Sequence, residues 1–124
     1  MSQNKTSELG FLAENMAVRY LEKKGYSILD LNYRKPWGEI DLVATKEGIL
    51  VFVEVKANRK IISGFEPELR ANASKITKVV RTARTYLAEK KYSFGQEWQI
   101  DVVSISFDGE RGVAKIRHFK NIDV

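Results

Sequence analysis

Residues 38–56, GEIDLVATKEGILVFVEVK, contain the first clear indication of how this chain folds. Two runs rich in Val, Ile, Leu and Phe, residues 39–44 and 49–56, flank the turn-forming residues 45–48. Such runs are typical of β-strands, and the short turn between them predicts an antiparallel hairpin.

Four charged side chains interrupt the apolar strands of the hairpin, and strand geometry determines whether they lie on the same face. Because side chains alternate along a strand, Glu39 and Asp41 share one face, while Glu54 and Lys56 share a face with Phe52. A turn of two or four residues places Asp41 opposite Glu54 or Phe52, and both registers gather the charges on one face. A three-residue turn would separate them. The other face of the first strand is apolar and is predicted to pack on a helix: Ile40, Leu42 and Ala44.

In these registers the Cβ atoms of Asp41 and Glu54 lie roughly 5 to 8 Å apart. Two carboxylates this close repel each other, which favours a shared proton or a bound divalent cation. The chain has no cysteine and a single histidine, His118, so metal ligands must be oxygens, as for magnesium, manganese or calcium. Such an ion can activate water for phosphodiester hydrolysis, and Lys56 can orient that water. The alternative is that Glu54 and Lys56 are the ordinary polar end of an edge strand.

Apolar periodicity and turn residues assign the remaining elements. The element order is helix, three strands, helix, two strands, in one domain spanning residues 1–124. Residues 58–68, with Gly64 and Pro67, show no sustained period and predict a mobile loop. Outside the hairpin, the patterns predict helices over residues 7–24 and 74–91 and strands over residues 26–32, 98–107 and 113–119.

The net charge of +5 and the pI near 9.5 favour an anionic partner such as nucleic acid or an acidic membrane surface, although simple solubility explains the charge equally well. The longest apolar run has only five residues, 49–53, so no membrane span or signal peptide is predicted, and a cytoplasmic location is expected.

Several basic residues of the second helix and of the loop before it are predicted to contact a phosphate backbone: Arg59, Lys60, Lys75, Lys78 and Arg81. The alternative for those on the second helix is that they form an ordinary solvated surface.

Three motifs in the chain carry a family resemblance: GFLAENMA at residues 10–17, GEIDLV at 38–43 and VFVEVK at 51–56, with residues 65–68 and 75–76 in support. Together they resemble the PD-(D/E)xK nuclease superfamily and, within it, the YraN family of uncharacterised bacterial proteins, which is related to archaeal Holliday junction resolvases. The resemblance implies a restriction-endonuclease-like α/β core, with a mixed five-stranded sheet flanked by helices.

The resemblance also implies roles for particular residues. Asp41 and Glu54 are the implied ligands of a magnesium or manganese ion, with the carbonyl of Val55 as a third, and Lys56 is the implied catalytic lysine. Glu14 is implied to reach the site from the first helix, although the helical pattern alone suits a solvated glutamate. The chain departs from the superfamily at Ile40, where a proline is usual, and from the family at Asn58, where a basic residue is usual.

Three functions remain open. The first is a metal-dependent endonuclease that hydrolyses phosphodiester bonds of DNA, with branched DNA as one candidate substrate. The second is a non-catalytic nucleic-acid-binding module with the same fold, and the third is a protein-interaction domain. His118 is interpreted as structural, whereas Asp101 either supports the site or pairs locally. DNA and RNA, and monomer and homodimer, are not distinguished by the sequence.

Overall fold

Five strands form one mixed sheet, and a helix packs on each of its faces. The computed structural model describes residues 8–122 except residues 59–72, and it describes no side chains for residues 73 and 74. The predicted fold class and the predicted order of helices and strands are confirmed. The elements in chain order are α1 (Glu8–Lys23), β1 (Ser27–Lys35), β2 (Gly38–Lys46), β3 (Ile49–Asn58), α2 (Ala73–Glu89), β4 (Trp98–Asp108) and β5 (Val113–Phe119).

The strands lie in the sheet in their sequence order, β1 to β5. β3 and β4 are parallel, and every other neighbouring pair is antiparallel. A parallel pair needs a crossover connection, which here includes α2. The C-terminal ends of β3 and β4 therefore lie at the same edge of the sheet.

The central hairpin, formed by β2 and β3, has a two-residue turn, the shortest of the three lengths considered from the sequence. Lys46 pairs with Ile49, and only Glu47 and Gly48 lie between them. Both residues have positive φ, +51° and +82°, as in the type I′ turn that suits the twist of a two-residue hairpin. This turn confirms the two-residue register, in which Leu42 pairs with Val53 and Asp41 is the next position along β2.

Two apolar clusters show how the sheet is covered. Leu42 and Ala44 of β2 and Val53 of β3 pack with Ala13 and Ala17 of α1. Small side chains on α1 let the helix lie close to the sheet. On the other face, α2 covers a second cluster, whose buried members are Ile40, Val43, Leu50, Phe52, Ile76, Val79, Ala83, Tyr86, Ile100 and Val102.

Ile40 lies on the opposite face from the one predicted. It belongs to the α2 cluster, whereas Leu42, two residues along the same strand, belongs to the α1 cluster. The alternation is therefore broken at Asp41. On β1, Asn32 occupies the register position opposite Asp41 and has a left-handed φ of +50°. The end of the β1–β2 hairpin is thus turned toward α2, which a strictly alternating pattern does not anticipate.

Gly38 lets the turned hairpin end approach α2 closely. A Cβ at this position would lie 2.6 Å from Oγ1 of Thr82 and 3.3 Å from the main-chain oxygen of Lys78. Thr82 itself is held in place, because its hydroxyl donates a hydrogen bond to that same Lys78 oxygen. Any side chain at position 38 would push α2 away from the sheet.

The predicted loop over residues 58–68 falls almost wholly outside the described residues. This includes Arg59 and Lys60, two of the residues predicted to bind nucleic acid. Asn58 is described and is the last residue of β3.

Candidate functional site

Asp41 and Glu54 are both buried at the point where β2 and β3 stop pairing. Their exposed fractions are 0% and 1%, and the paired positions of the two strands end at Leu42 and Val53. Continuing this register by one residue places Asp41 opposite Glu54, as the hairpin parity predicts. The structure therefore brings the two carboxylates onto neighbouring strands in a part of the protein shielded from water.

The Asp41 carboxylate takes the place of a main-chain acceptor. Its Oδ2 accepts a hydrogen bond of 2.7 Å from the backbone N–H of Val55, a donor that would otherwise need a carbonyl of β2. The N–H and C=O groups of one strand residue point to the same side of the strand. The Val55 carbonyl consequently points toward β2 as well, on the side where Asp41 lies.

Lys75 of α2 contacts Glu54 from the face of the sheet that α2 covers. Its Nζ lies 2.6 Å from Oε2 of Glu54. Burial alone would lower the pKa of Lys75, but the pKa is raised overall by the charge of Glu54, by the hydrogen bond to it, and by the charges of Asp41 and Glu39. The nearby carboxylates, Glu54 above all, therefore favour the protonated form of Lys75. The sequence predicted Lys75 as a phosphate contact, and this pairing was not foreseen.

The face of the sheet beyond Glu54 is polar. Lys56, two residues further along β3, is partly buried. Asn58 donates hydrogen bonds to Oγ of Ser104 at 3.0 Å and of Ser106 at 3.4 Å, and both serines are buried on β4. Sequence reasoning missed these serines, although hydroxyl residues that alternate with apolar ones in a central strand were a usable signal.

Glu14 reaches β1 at the level of Asp41. Its Oε1 accepts a hydrogen bond of 3.4 Å from Nδ2 of Asn32, the residue in register with Asp41. This contact joins α1 to β1, the strand next to the one that carries Asp41. Asn32 was missed as a site residue, although an asparagine in a strand is a signal for a left-handed conformation.

Two further basic residues of α2 project into solvent. Lys78 and Arg81 are exposed on the helix that carries Lys75. Both are therefore accessible to an anionic partner. Their placement agrees with the predicted phosphate-binding surface and also with a solvated helix face.

Asp101 and His118 lie on the other side of the sheet. Asp101 Oδ2 lies 2.7 Å from Nε2 of His118, whose Nδ1 lies 3.0 Å from the hydroxyl of Tyr20 on α1. Burial and the charge of Asp101 raise the pKa of that tyrosine. Asp101 also accepts a hydrogen bond from the backbone of Asn121. These contacts support the structural interpretation of His118 and assign Asp101 to local pairing.

The donor atoms around Asp41 and Glu54 fit a hard cation. Within residues 8–58 and 73–122, no three acidic or histidine side chains are grouped closely enough to hold a metal ion. A metal here would therefore be held by the two carboxylates and the Val55 carbonyl, with water completing its shell. Magnesium binds in this way, because it retains several waters and uses one or two carboxylates.

Comparison with known proteins places the chain in a family. The model of the uncharacterised protein family UPF0102 matches residues 13–105. The chain belongs to this family. A UPF0102 protein of Syntrophomonas wolfei is 42% identical over 114 residues, covering 92% of this chain and 96% of the relative. One from Fervidobacterium nodosum is 39% identical over 115 residues, covering 90% and 78% respectively.

The UPF0102 match confirms the family resemblance inferred from the sequence motifs. It extends over α1 from Ala13 and over the whole central hairpin, so Glu14, Asp41, Glu54 and Lys56 all lie within the matched region. A Campylobacter hominis member is 34% identical and covers 97% of both chains. In the described part of this UPF0102 chain, neither helix is long and apolar enough to span a membrane.

Proposed function

We propose that this protein is a metal-dependent endonuclease that hydrolyses phosphodiester bonds in DNA. The observation that carries the proposal is the burial of Asp41 and Glu54 on the neighbouring strands β2 and β3, just beyond their last paired positions, with Asp41 oriented by the N–H of Val55. Burying two carboxylates side by side is costly unless cations compensate them. A structural role alone would be served as well by apolar residues, as at most other buried positions of the sheet.

Different residues of the chain have different roles in the proposed reaction. Asp41 and Glu54, with the Val55 carbonyl, would hold magnesium or manganese, which supplies Lewis-acid activation of water and charge stabilisation when bound. Lys56 lies on the Glu54 face and places a positive charge beside the phosphate as negative charge develops on it. Glu14 and Asn32 support the arrangement from the neighbouring elements. The proposal includes a cytoplasmic location, where such a substrate is accessible.

Lys78 and Arg81 are proposed to hold the nucleic-acid backbone beside the site. We expect a double Lys78→Ala and Arg81→Ala variant to bind duplex DNA more weakly at low salt, because two phosphate contacts are lost. The slope of log affinity against log salt concentration should fall by roughly 2, since each contact contributes about 0.9. Fluorescence anisotropy at several salt concentrations measures both quantities.

The matched control removes one arginine and one lysine from the exposed face of α1. Arg19 and Lys23 are both exposed, and α1 packs on the opposite face of the sheet from α2. The double variant Arg19→Ala and Lys23→Ala has the same net charge as the α2 variant. Equal salt slopes for the two double variants would contradict a binding surface on α2.

A second candidate function is nucleic-acid binding without catalysis. It is favoured by the contact between Lys75 and Glu54, in which a side-chain cation already neutralises one of the implied metal ligands. In that case the protein should bind DNA in a salt-dependent manner and cleave nothing. The two candidates differ in one measurable property, which is cleavage that depends on a divalent ion.

The test of the proposed function is a cleavage screen with the purified protein. Linear, flapped and four-way DNA are incubated with magnesium, with manganese and with a chelator. We expect cleavage of at least one substrate with a divalent ion, and none with the chelator. A complete absence of cleavage, alongside salt-dependent binding of the same substrates, would favour the non-catalytic candidate.

A further inference from the structure

We propose that Lys75 is a built-in counter-ion that competes with the divalent metal for Glu54 and, once displaced, binds a phosphate of the nucleic acid. The inference rests on the proposed function, since it assigns a positioning role to a residue at the same site. It concerns the order and coupling of metal and substrate binding, which the two carboxylates alone do not determine.

The contact between the two side chains is close and asymmetric. The distance from Nζ of Lys75 to Oε2 of Glu54 is 2.6 Å, and the exposed fractions of the two side chains are 44% and 0%. The carboxylate is fixed inside the protein, whereas the lysine reaches it from the solvent side. A flexible four-carbon stem lets the ammonium leave without any movement of the backbone.

A metal ion and this ammonium cannot both bind the same carboxylate oxygen with the affinity that each has alone. Magnesium binds carboxylate oxygens at about 2.0 to 2.1 Å, so a second cation in hydrogen-bond contact with that oxygen would be strongly repelled. A metal ion bound at Oε2 would therefore have to displace Lys75, and one bound at Oε1 would weaken the ion pair, because both cations draw on the same carboxylate charge. The affinity of the free protein for metal is reduced by the stability of that pair.

The displaced ammonium has a suitable destination in the substrate. Lys75 lies one helical turn before Lys78, which is exposed on the proposed phosphate-binding surface of α2. A phosphate bound there stabilises Lys75 away from Glu54 and so makes room for the metal. By thermodynamic linkage, DNA should then raise metal affinity and metal should raise DNA affinity by the same factor.

The test is calorimetric titration of manganese into wild type, Lys75→Met and Lys78→Met without nucleic acid. Methionine keeps much of the apolar stem and removes the charge. We expect Lys75→Met to bind manganese about fivefold to tenfold more tightly than wild type, because an ion pair no longer competes. Lys78→Met has the same chemical change one turn along the helix and should bind within about twofold of wild type.

A second readout requires neither cleavage nor nucleic acid. In chelator, Lys75→Met should have a lower melting temperature than wild type, because Glu54 loses its ammonium partner. Saturating manganese should raise the melting temperature of Lys75→Met more than that of wild type. Lys75→Arg keeps the charge and should behave as wild type in both measurements.

The outcomes separate this inference from the proposed function. If wild type binds manganese and a folded Lys75→Met variant binds it equally or more weakly, the counter-ion role is wrong and the metal site stands. If no variant binds manganese in the presence or absence of DNA, both the metal site and the counter-ion role are wrong. If Lys75→Met proves too unstable to titrate, Lys75→Gln replaces it, with the same expected tightening.

Discussion

Asp41→Asn is expected to lower the rate of divalent-ion-dependent cleavage by about 10²-fold or more while leaving the protein folded. The amide oxygen of asparagine can still accept the hydrogen bond from the N–H of Val55, so the strand contact at 2.7 Å is kept. The negative charge is lost, and with it a ligand for a hard cation. Removing one such electrostatic contribution typically lowers rates by about 10²- to 10³-fold. Initial cleavage rates with magnesium and with manganese measure the effect.

Asp41→Ala separates the two roles of the same carboxylate. Alanine has neither the charge nor the acceptor, so the buried N–H of Val55 loses its hydrogen bond to residue 41. Such a loss lowers the free energy of unfolding by about 1 to 3 kcal/mol. We therefore expect Asp41→Ala to be inactive and also less stable in urea than Asp41→Asn. Cleavage by folded Asp41→Asn at the wild-type rate would rule out Asp41 as a metal ligand.

Phe52→Ala is expected to have the largest effect on stability. Phe52 is completely buried on the α2 face, and its ring makes edge contacts with Tyr86 and Trp98, at centroid distances of 5.6 Å and 5.7 Å. Truncating a buried phenylalanine costs about 3 to 5 kcal/mol. Typical domains are stable by about 5 to 15 kcal/mol in total. We therefore expect the melting temperature to fall by about 10 °C or more.

The chain offers a matched control for this substitution. Phe94 is fully exposed, so Phe94→Ala removes the same atoms from a position with no burial to lose. Its melting temperature should stay within a few degrees of wild type. If Phe52→Ala were no less stable than Phe94→Ala, Phe52 would not hold α2 against the sheet.

The fold was predictable because its signals are local. Alternation of apolar residues, the turn at Glu47 and Gly48, and the stop of α1 at Gly25 each depend on a few neighbouring residues. Gly25 has φ +95°, and Tyr26 donates a hydrogen bond back to the carbonyl of Leu21, which closes the helix end. The register of the hairpin follows from the same short-range rules, so the placement of Asp41 and Glu54 near the same end of two paired strands was predictable too.

The parts that were not predictable depend on tertiary contacts. Ile40 lies on the α2 face and Leu42 on the α1 face, so side chains do not alternate through Asp41 as the rule for a regular strand assumes. The pairing of Lys75 with Glu54 joins a helix and a strand 21 positions apart, which helical periodicity does not determine. The helical pattern placed Lys75 on the basic side of α2, but it did not determine which strand residue the side chain contacts.

The parallel pairing of β3 with β4 has a consequence for biosynthesis. A growing chain that has reached the end of α2 already contains Asp41, Glu54 and Lys75, but it lacks the strand that supplies Ser104 and Ser106 and closes the sheet beside β3. Until β4 is added, β3 is an open edge, and pairing across a long crossover is slow compared with hairpin formation. Completion of the candidate site thus has to wait for synthesis of β4, which follows α2 in the chain.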